Sequence, residues 1–297
     1  MKLATWNIYW LGDRNGKFIV RTEEDEVLIA RVIKQIRPDV LAIQEVVDPK
    51  ALERVLEKAR EPGHEYTIRS EDGTWLTSDP KPELETNNWQ KTFLCLNKST
   101  IEFSVGGAIK GGPGRRKPYA AELRHRESDR EFTAVAVHFQ SGFPDFFNQE
   151  DANKRLAQTQ ALARWLRGDG ADANQHLQRP ATDQIVVLGD FNAEKNDPND
   201  SLSALQEGPF ASWRWELPTS DIGQAATAIN DGYIIDFIMF SPEMAGSAEE
   251  PRIYSYDLDA ALGGATEFHS GIDGSGPLRE PPKVSDHRPV TCFVTFQ

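Results

Sequence analysis

Cysteine is scarce in this 297-residue chain, which carries only Cys95 and Cys292. A chain of this length buries most of the surface that its unfolded form exposes and needs no disulfide staples. Both thiols are therefore expected to be buried as small hydrophobes rather than joined in a bridge. Long apolar runs are also missing. No stretch approaches the ~20 residues of a membrane-spanning helix. No apolar segment follows Met1, so the sequence reads as a cytosolic chain, or as a mature secreted one given a new methionine. Positive charge is in deficit, with 33 Lys and Arg against 46 Asp and Glu and a formal net charge of −13. A polyanion would meet a repulsive far field, which argues against tight, nonspecific DNA binding by the whole surface. It leaves room for a phosphate held locally by a cation and a few bases. Internal repeats and low-complexity linkers are absent too. One domain over residues 1–297 is expected, as a monomer with no obligate protein partner.

What is present is mostly strand. The segment beginning at Lys2 and containing LATWNI reads as a first strand, and DVLAIQEV as a buried one. Between them, Leu28, Ile29, Val32, Ile33 and Ile36 recur at helical spacing from Glu23 to Arg37, and Pro38 stops the pattern. Asp48 caps a second helix with Pro49 at its first position and Leu52, Val55, Leu56 and Ala59 inward. TFLCLN, IVVLGDFNA, YIIDFIMFS and PVTCFVTFQ are further strands, and YAAELR and EFTAVAVHF form a hairpin turning at Ser128-Asp129. A third helix is expected from Asp151 to Arg167, with Leu156, Ala163 and Leu166 inward and Gly168 as its stop. KGGPGRRK is a Gly-rich basic loop, and residues 70–90 and 257–284 are long loops of a kind that is often functional. Parallel pairing demands helical crossovers, and there are too few helices for all these strands. Two mixed or antiparallel sheets packed face to face, with helices outside, fit best.

Polar residues stand at the ends of the apolar strands: Asn7, Glu45, His138, Asp190 with Asn192, and Asp236, while Asp286 and His287 precede the last strand. Singly, several have ordinary explanations. Gly189 to Asn192 can be a turn whose side chains bond backbone, Ser285 to His287 a polar turn, and Glu45 the partner of a nearby cation. Asp236 is harder to explain so, because a carboxylate in so apolar a strand requires a partner. Together they suggest one convergent site. Phosphodiester hydrolysis needs a hard cation on carboxylates, an acceptor for the proton of a water, and fixed donors for developing charge. Glu45 and Asp286 suit a metal, Asp190 a water, Asn7 and Asn192 a phosphate, and His287 with Asp236 an oriented imidazole.

The segments TWNIYWL, DVLAIQEV, VAVHFQSG, VVLGDFNA, IIDFIMFS and SDHRPV, in this order from Leu3 to Val290, resemble the endonuclease/exonuclease/phosphatase superfamily that includes DNase I. Arg116-Lys117-Pro118 resembles its Arg-x-Pro strand entry, and Arg155, Gln158 and Leu162 the helix that precedes GDFNA. The resemblance implies a four-layered α/β sandwich and dependence on Mg²⁺ or Mn²⁺. It implies a phosphate-orienting amide at Asn7 and a metal carboxylate at Glu45. It implies a histidine at His138 that contacts phosphate or protonates the leaving oxygen. Asp190 and Asn192 become a water-activating acid and its amide partner, Asp236 and His287 an acid–histidine pair, and Asp286 an acid near a metal. Arg116 is a candidate phosphate contact or a core residue, and Lys110, Arg115 and Lys117 candidate contacts to a nucleic-acid backbone. Ala193-Glu194 replaces the aromatic-Arg pair of inositol polyphosphate 5-phosphatases and YIIDFIMFS lacks their Trp-Cys-Asp-Arg segment, which argues against that subgroup, and the context of His138 differs from that in apurinic-site endonucleases. The expected activity is a nuclease, endonucleolytic on DNA. The alternatives are a phosphatase or a lipid or small-molecule phosphodiesterase of the same fold, or a binding module on an inactive scaffold.

Overall fold

The computed structural model describes residues 1–12, 21–70, 90–110, 112–113, 116–141, 149–169, 177, 179–196, 199–219, 227, 233–254, 285 and 287–296. In chain order the elements are β1 (Lys2–Leu11), α1 (Glu23–Ile36), β2 (Val40–Val46), α2 (Pro49–Ala59), β3 (Tyr66–Ser70), β4 (Lys91–Asn97), β5 (Ile101–Ala108), β6 (Tyr119–His125), β7 (Arg130–His138), α3 (Gln149–Arg167), β8 (Ile185–Asp190), β9 (Arg214–Trp215), β10 (Asp236–Phe240), α4 (Pro242–Ala245), β11 (Arg252–Ile253) and β12 (Val290–Phe293). They form two six-stranded sheets, ordered β11-β12-β1-β2-β4-β3 and β5-β6-β7-β8-β10-β9. Each sheet has one parallel pair, β1 with β2 and β7 with β8. These are the pairs whose connections contain a long helix, α1 and α3. The remaining neighbours pair antiparallel.

Period-two alternation sorts the strand residues into layers. Leu3, Val40, Ala42, Leu94, Leu96, Phe132, Ala134, Ala136, Val186, Leu188, Ile238 and Phe240 join the two sheets in one core. The alternate residues Ala4, Trp6, Ile8, Leu41 and Ile43 pack under α1 and α2. On the far side, Val135, Val137, Val187, Phe237 and Met239 pack with Leu162, Ala163 and Trp165 of α3. This is the expected sandwich of two sheets with helices outside. The helix ends obey local chemistry. Thr22 and Asp25 form a reciprocal capping box on α1, and Asp48 with Pro49 starts α2. Cys95 and Cys292 are buried and unbridged.

Three expectations change. Helix α1 stops at Ile36 rather than Arg37, whose left-handed backbone (φ 51) closes the end with an N–H bond to the Ile33 carbonyl. In YIIDFIMFS regular pairing starts only at Asp236, because Ile235 and Asp236 direct their N–H groups to the Thr227 hydroxyl. The buried face of α3 is not its leucine stripe. Leu156 and Leu166 are half-buried, whereas Arg155, Gln158 and Thr159 are buried beside Ala163. Strands β3, β5, β9 and β11 carry weak or short patterns and were not expected. Most of the two long loops lies outside the described residues, as do Arg115 and Asp286.

Candidate active site

The inter-sheet core ends in polar residues. Asn7 continues the row of Leu3 and Thr5; His138 that of Ala134 and Ala136; Asp190 that of Val186 and Leu188; Asp236 that of Ile238 and Phe240. Register sets these ends side by side, since His138 and Asp236 both pair with Asp190 across the second sheet. The parallel strands of both sheets therefore deliver side chains at their carboxyl ends, the usual ligand edge of such pairs. One layer deeper, Thr5 and Gln44 bond each other and close the floor.

Glu45 reaches the site by a different route. Strict alternation would place it with Leu41 and Ile43 beneath the helices. However, β2 carries one extra residue against β4 between the pairs Ile43–Phe93 and Val46–Lys91. At this bulge Glu45 has φ 63, and its side chain turns to the sheet interface. Asn192 also has a left-handed backbone (φ 50), just beyond β8. Such backbone strain at non-glycine residues gathers where side chains must be aimed.

The hydrogen bonds are continuous across the site. The Asn7 amide nitrogen donates to Asp190 Oδ2 at 2.9 Å and to Glu45 Oε1 at 3.1 Å, and its oxygen accepts from the Tyr9 N–H at 3.0 Å. Asp190 Oδ1 accepts from the Asn192 N–H at 2.8 Å, while the Asn192 side chain donates to the Phe139 carbonyl at 3.1 Å. His138 Nε2 lies 3.7 Å from Glu45 Oε1 and 3.6 Å from Asp190 Oδ2. It also lies 2.7 Å from Arg116 Nη1. Arg116 can only donate, so this nitrogen accepts and the imidazole proton sits on Nδ1. His287 Nδ1 meets Asp236 Oδ2 at 2.8 Å, which fixes that nitrogen as the donor and Nε2 as the basic one.

Burial governs the charges. It raises the Asp190 carboxyl to about 7, helped by the charge of Asp236 and opposed by His287 and by the bonds from Asn7 and Asn192. Burial, then the Arg116 and His287 charges, lowers His138 well below the ordinary imidazole range, so its ring is neutral. Burial also lowers the Arg116 guanidinium, against the pull of Glu45 and Asp190; guanidinium nonetheless keeps its proton in proteins.

The structure thus brings Asn7, Glu45, Arg116, His138, Asp190, Asn192, Asp236 and His287 together. Lys110 is exposed, and Lys117 is tied to the Gly112 carbonyl. Sequence reasoning missed several supports. Ser285 accepts the His287 N–H and donates to the Asn7 carbonyl, and Trp6 Nε1 holds the His287 carbonyl at 2.9 Å. A serine two residues before a histidine is a legible turn signal. Thr227, from a distant segment, gave none. The polar face of α3 is a support as well. Gln158 bonds the Gln140 N–H and the carbonyls of Pro113 and Arg116, and Arg155 bonds the Gln140 carbonyl and Ser201.

The donor set fits a hard divalent cation. Asp190, Asp236 and His287 each offer a ligand atom, all within 4.8 Å of one another. Asp236 Oδ1 is buried with no hydrogen-bond partner among the described residues. Carboxylate oxygens of this kind suit Mg²⁺.

Two helix-flanked sheets thus meet at one acid- and imidazole-lined edge. The chain matches the Endonuclease/Exonuclease/phosphatase family over residues 4–287 and belongs to it. It is similar to a protein named deoxyribonuclease from Thioalkalivibrio sp. (strain K90mix), with 26% identity over 227 residues. That match covers 74% of this chain but only 54% of the relative, so the chain spans about half of the relative's length. Among solved structures, D. rerio TDP2 complexed with single strand DNA product superimposes with a TM-score of 0.60 at 14% identity, covering 98% of this chain and 97% of that one. The mannosyl-6-phosphatase Bt3783 of Bacteroides thetaiotaomicron gives 0.61 at 14% identity, covering 100% of each. Among the described residues no helix is long and apolar enough to cross a membrane.

Proposed function

We propose that this chain is a divalent-metal-dependent phosphodiesterase, a nuclease that cuts DNA endonucleolytically with Mg²⁺ or Mn²⁺, folded as one domain over residues 1–297. The observation that carries the reading is the hydrogen-bonded cluster of Asn7, Glu45 and Asp190, with His138 Nε2 3.6 Å from Asp190 and the His287–Asp236 pair against Asp190. The relative named deoxyribonuclease supports the choice of DNA.

Glu45, Asp190 and Asp286 would hold the cation, with Asp236 Oδ1 as a further oxygen while its Oδ2 holds His287. Bound there, the metal would neutralise non-bridging phosphate oxygens and lower the pKa of a water. Asp190 receives a proton from the attacking water, a task suited to a carboxyl whose affinity for protons is raised toward neutrality. The Asn7 amide keeps Asp190 and Glu45 apart from each other and aimed at one point. Asp236 holds the His287 ring so that Nε2 faces the reacting phosphate and carries a proton there. Arg116 brings a fixed positive charge beside His138, where a phosphate oxygen would accumulate charge. Asn192 positions Asp190 through its N–H and ties it to the Phe139 turn.

The second reading, a phosphatase or small-molecule phosphodiesterase of the same fold, is favoured by the net charge of −13. A substrate panel separates them. Plasmid, single-stranded DNA, RNA and small phosphate esters are offered with Mg²⁺, Mn²⁺ or chelator, with Asp190→Ala as control. Metal-dependent nicking of plasmid that is lost in Asp190→Ala is expected. Hydrolysis of small esters with every nucleic acid left intact would establish the second reading instead.

A further inference from the structure

The Asp236 side chain is held at a single point. Its Oδ2 accepts from His287 Nδ1 at 2.8 Å, and its Oδ1 has no hydrogen-bond partner among the described residues. No other donor among them aims this carboxylate, so its direction comes from the backbone that carries it. That backbone is bent. Successive N–H groups of an extended strand point to opposite edges. Those of Ile235 and Asp236 nevertheless both reach one oxygen, the Thr227 hydroxyl, at 3.0 and 3.2 Å. The chain thus turns at Ile235 and enters β10 only at Asp236. Strand β9 does not shape this end, because its pairs with β10 lie further along, at Met239 and Phe240.

The segment of His287 is anchored on the same residue from the other side. The Arg288 N–H, one position beyond His287, donates to the Thr227 carbonyl at 2.8 Å. Trp6 and Ser285 tie His287 toward β1, and Thr227 ties its neighbour toward β10. One fully buried residue therefore accepts backbone donors from both halves of a pair that is 51 positions apart in the chain. Thr227 is itself fixed, its N–H donating to the Tyr233 carbonyl at 3.0 Å. Filling the core would need only the shape of this side chain, which valine also has. The two N–H groups use its oxygen, and buried donors deprived of an acceptor are costly enough to shift the backbone. A displacement of about 1 Å at a reacting group can slow chemistry by about 100-fold.

We propose that Thr227 is the positioning residue of the Asp236–His287 pair, its hydroxyl setting the carboxylate and its carbonyl the imidazole, without touching substrate. This rests on the phosphodiesterase reading above and adds to it the part that aligns the proton carrier. The test compares the full wild-type chain with Thr227→Ser, which keeps the oxygen, and Thr227→Val, which keeps the shape and removes the oxygen. Turnover is measured with Mg²⁺ on plasmid DNA, or on a small phosphate ester should only that be cut. Thr227→Val is expected to lose roughly 10- to 100-fold in kcat with KM within about threefold, and Thr227→Ser to stay within about threefold of wild type in both. Thr227→Cys offers sulfur, a weak acceptor, and should fall between them; it replaces the valine variant if that one does not fold. A second measurement needs no turnover. The imidazole Nδ1–H resonance of His287 is recorded in chelator on histidine-labelled protein and assigned by its loss in His287→Ala. It is expected to be unchanged in Thr227→Ser and shifted or broadened in Thr227→Val and Thr227→Cys. Folded valine and cysteine variants with wild-type kcat and resonance overturn the positioning role and leave the phosphodiesterase reading standing. So does a loss carried by KM rather than kcat, or one equally large in Thr227→Ser. Wild-type protein that cuts no phosphoester overturns that reading and the positioning role with it.

Discussion

Replacing Asp190 by asparagine is expected to stabilise the metal-free protein at neutral and alkaline pH while removing its activity. The carboxyl is buried beside Asp236, and its pKa is raised from 3.8 to about 7. Between those values the folded chain keeps a proton that the unfolded chain releases. Stability contributed by this group is therefore complete at acid pH and is lost as pH rises through the window. Three units at about 1.4 kcal/mol each set a ceiling of roughly 4 kcal/mol on that loss. Asparagine removes the loss but brings a cost of its own. Its oxygen can keep the Asn192 N–H, but its amide then faces the Asn7 amide, donor against donor. That mismatch costs about 1–2 kcal/mol. The variant should therefore be about 2–3 kcal/mol more stable than wild type near pH 8, with the advantage vanishing at about pH 5. Urea unfolding in chelator at several pH values measures the difference. A pH-independent difference, or a variant that is less stable at pH 8, would refute the account of Asp190 as an uncompensated buried carboxylate.

Asp236→Asn replaces the carboxylate that holds His287 Nδ1 by a neutral amide, which no longer enforces the tautomer or stabilises the charged ring; kcat should fall by roughly 100- to 10,000-fold with little change in urea midpoint, and activity within tenfold of wild type would remove the pair from the mechanism. Gly189→Ala places a Cβ 2.0 Å from the Val137 carbonyl oxygen, across the parallel pair that aligns His138 with Asp190. A loss of at least about 2–3 kcal/mol is expected in urea unfolding, and wild-type stability would show that β7 and β8 do not approach this closely. Glu26 is 4% exposed and receives both Arg54 and Lys58. Truncation to alanine removes the partner shared by two partly exposed cations, of which Lys58 keeps Glu23, and should cost about 1–2 kcal/mol, read by thermal unfolding, whereas a change under about 0.5 kcal/mol would make the cluster dispensable. Burial raises the thiol pKa of Cys95 and pushes that of Cys292 up to about 12; neither should react with a thiol reagent until urea unfolds the chain, and fast labelling of native protein would contradict their burial.

Much of the architecture is a local matter and was legible in the chain. Apolar runs define β1, β7 and β8, the Asp48 cap sets one helix start, and the polar residues that close the strand rows are visible as interruptions of those runs. The list of site residues followed from the same interruptions and from the order of motifs. The polar face of α3 was misread because amphipathic reasoning assumes that a buried face is apolar. Here it instead satisfies loop carbonyls that carry Arg116 and Gln140.

Tertiary structure alone decided how those residues meet. A strand's period assigns Glu45 to the helical side, and only the bulge against β4 turns it inward. Which nitrogen of His138 holds the proton depends on Arg116, 22 positions away, and the pairing of His287 with Asp236 spans 51. Sequence determines the period and the chemistry of each side chain, because these depend on neighbours in the chain. Distances, proton positions and buried charge depend on neighbours in space, and those exist only once the two sheets have packed.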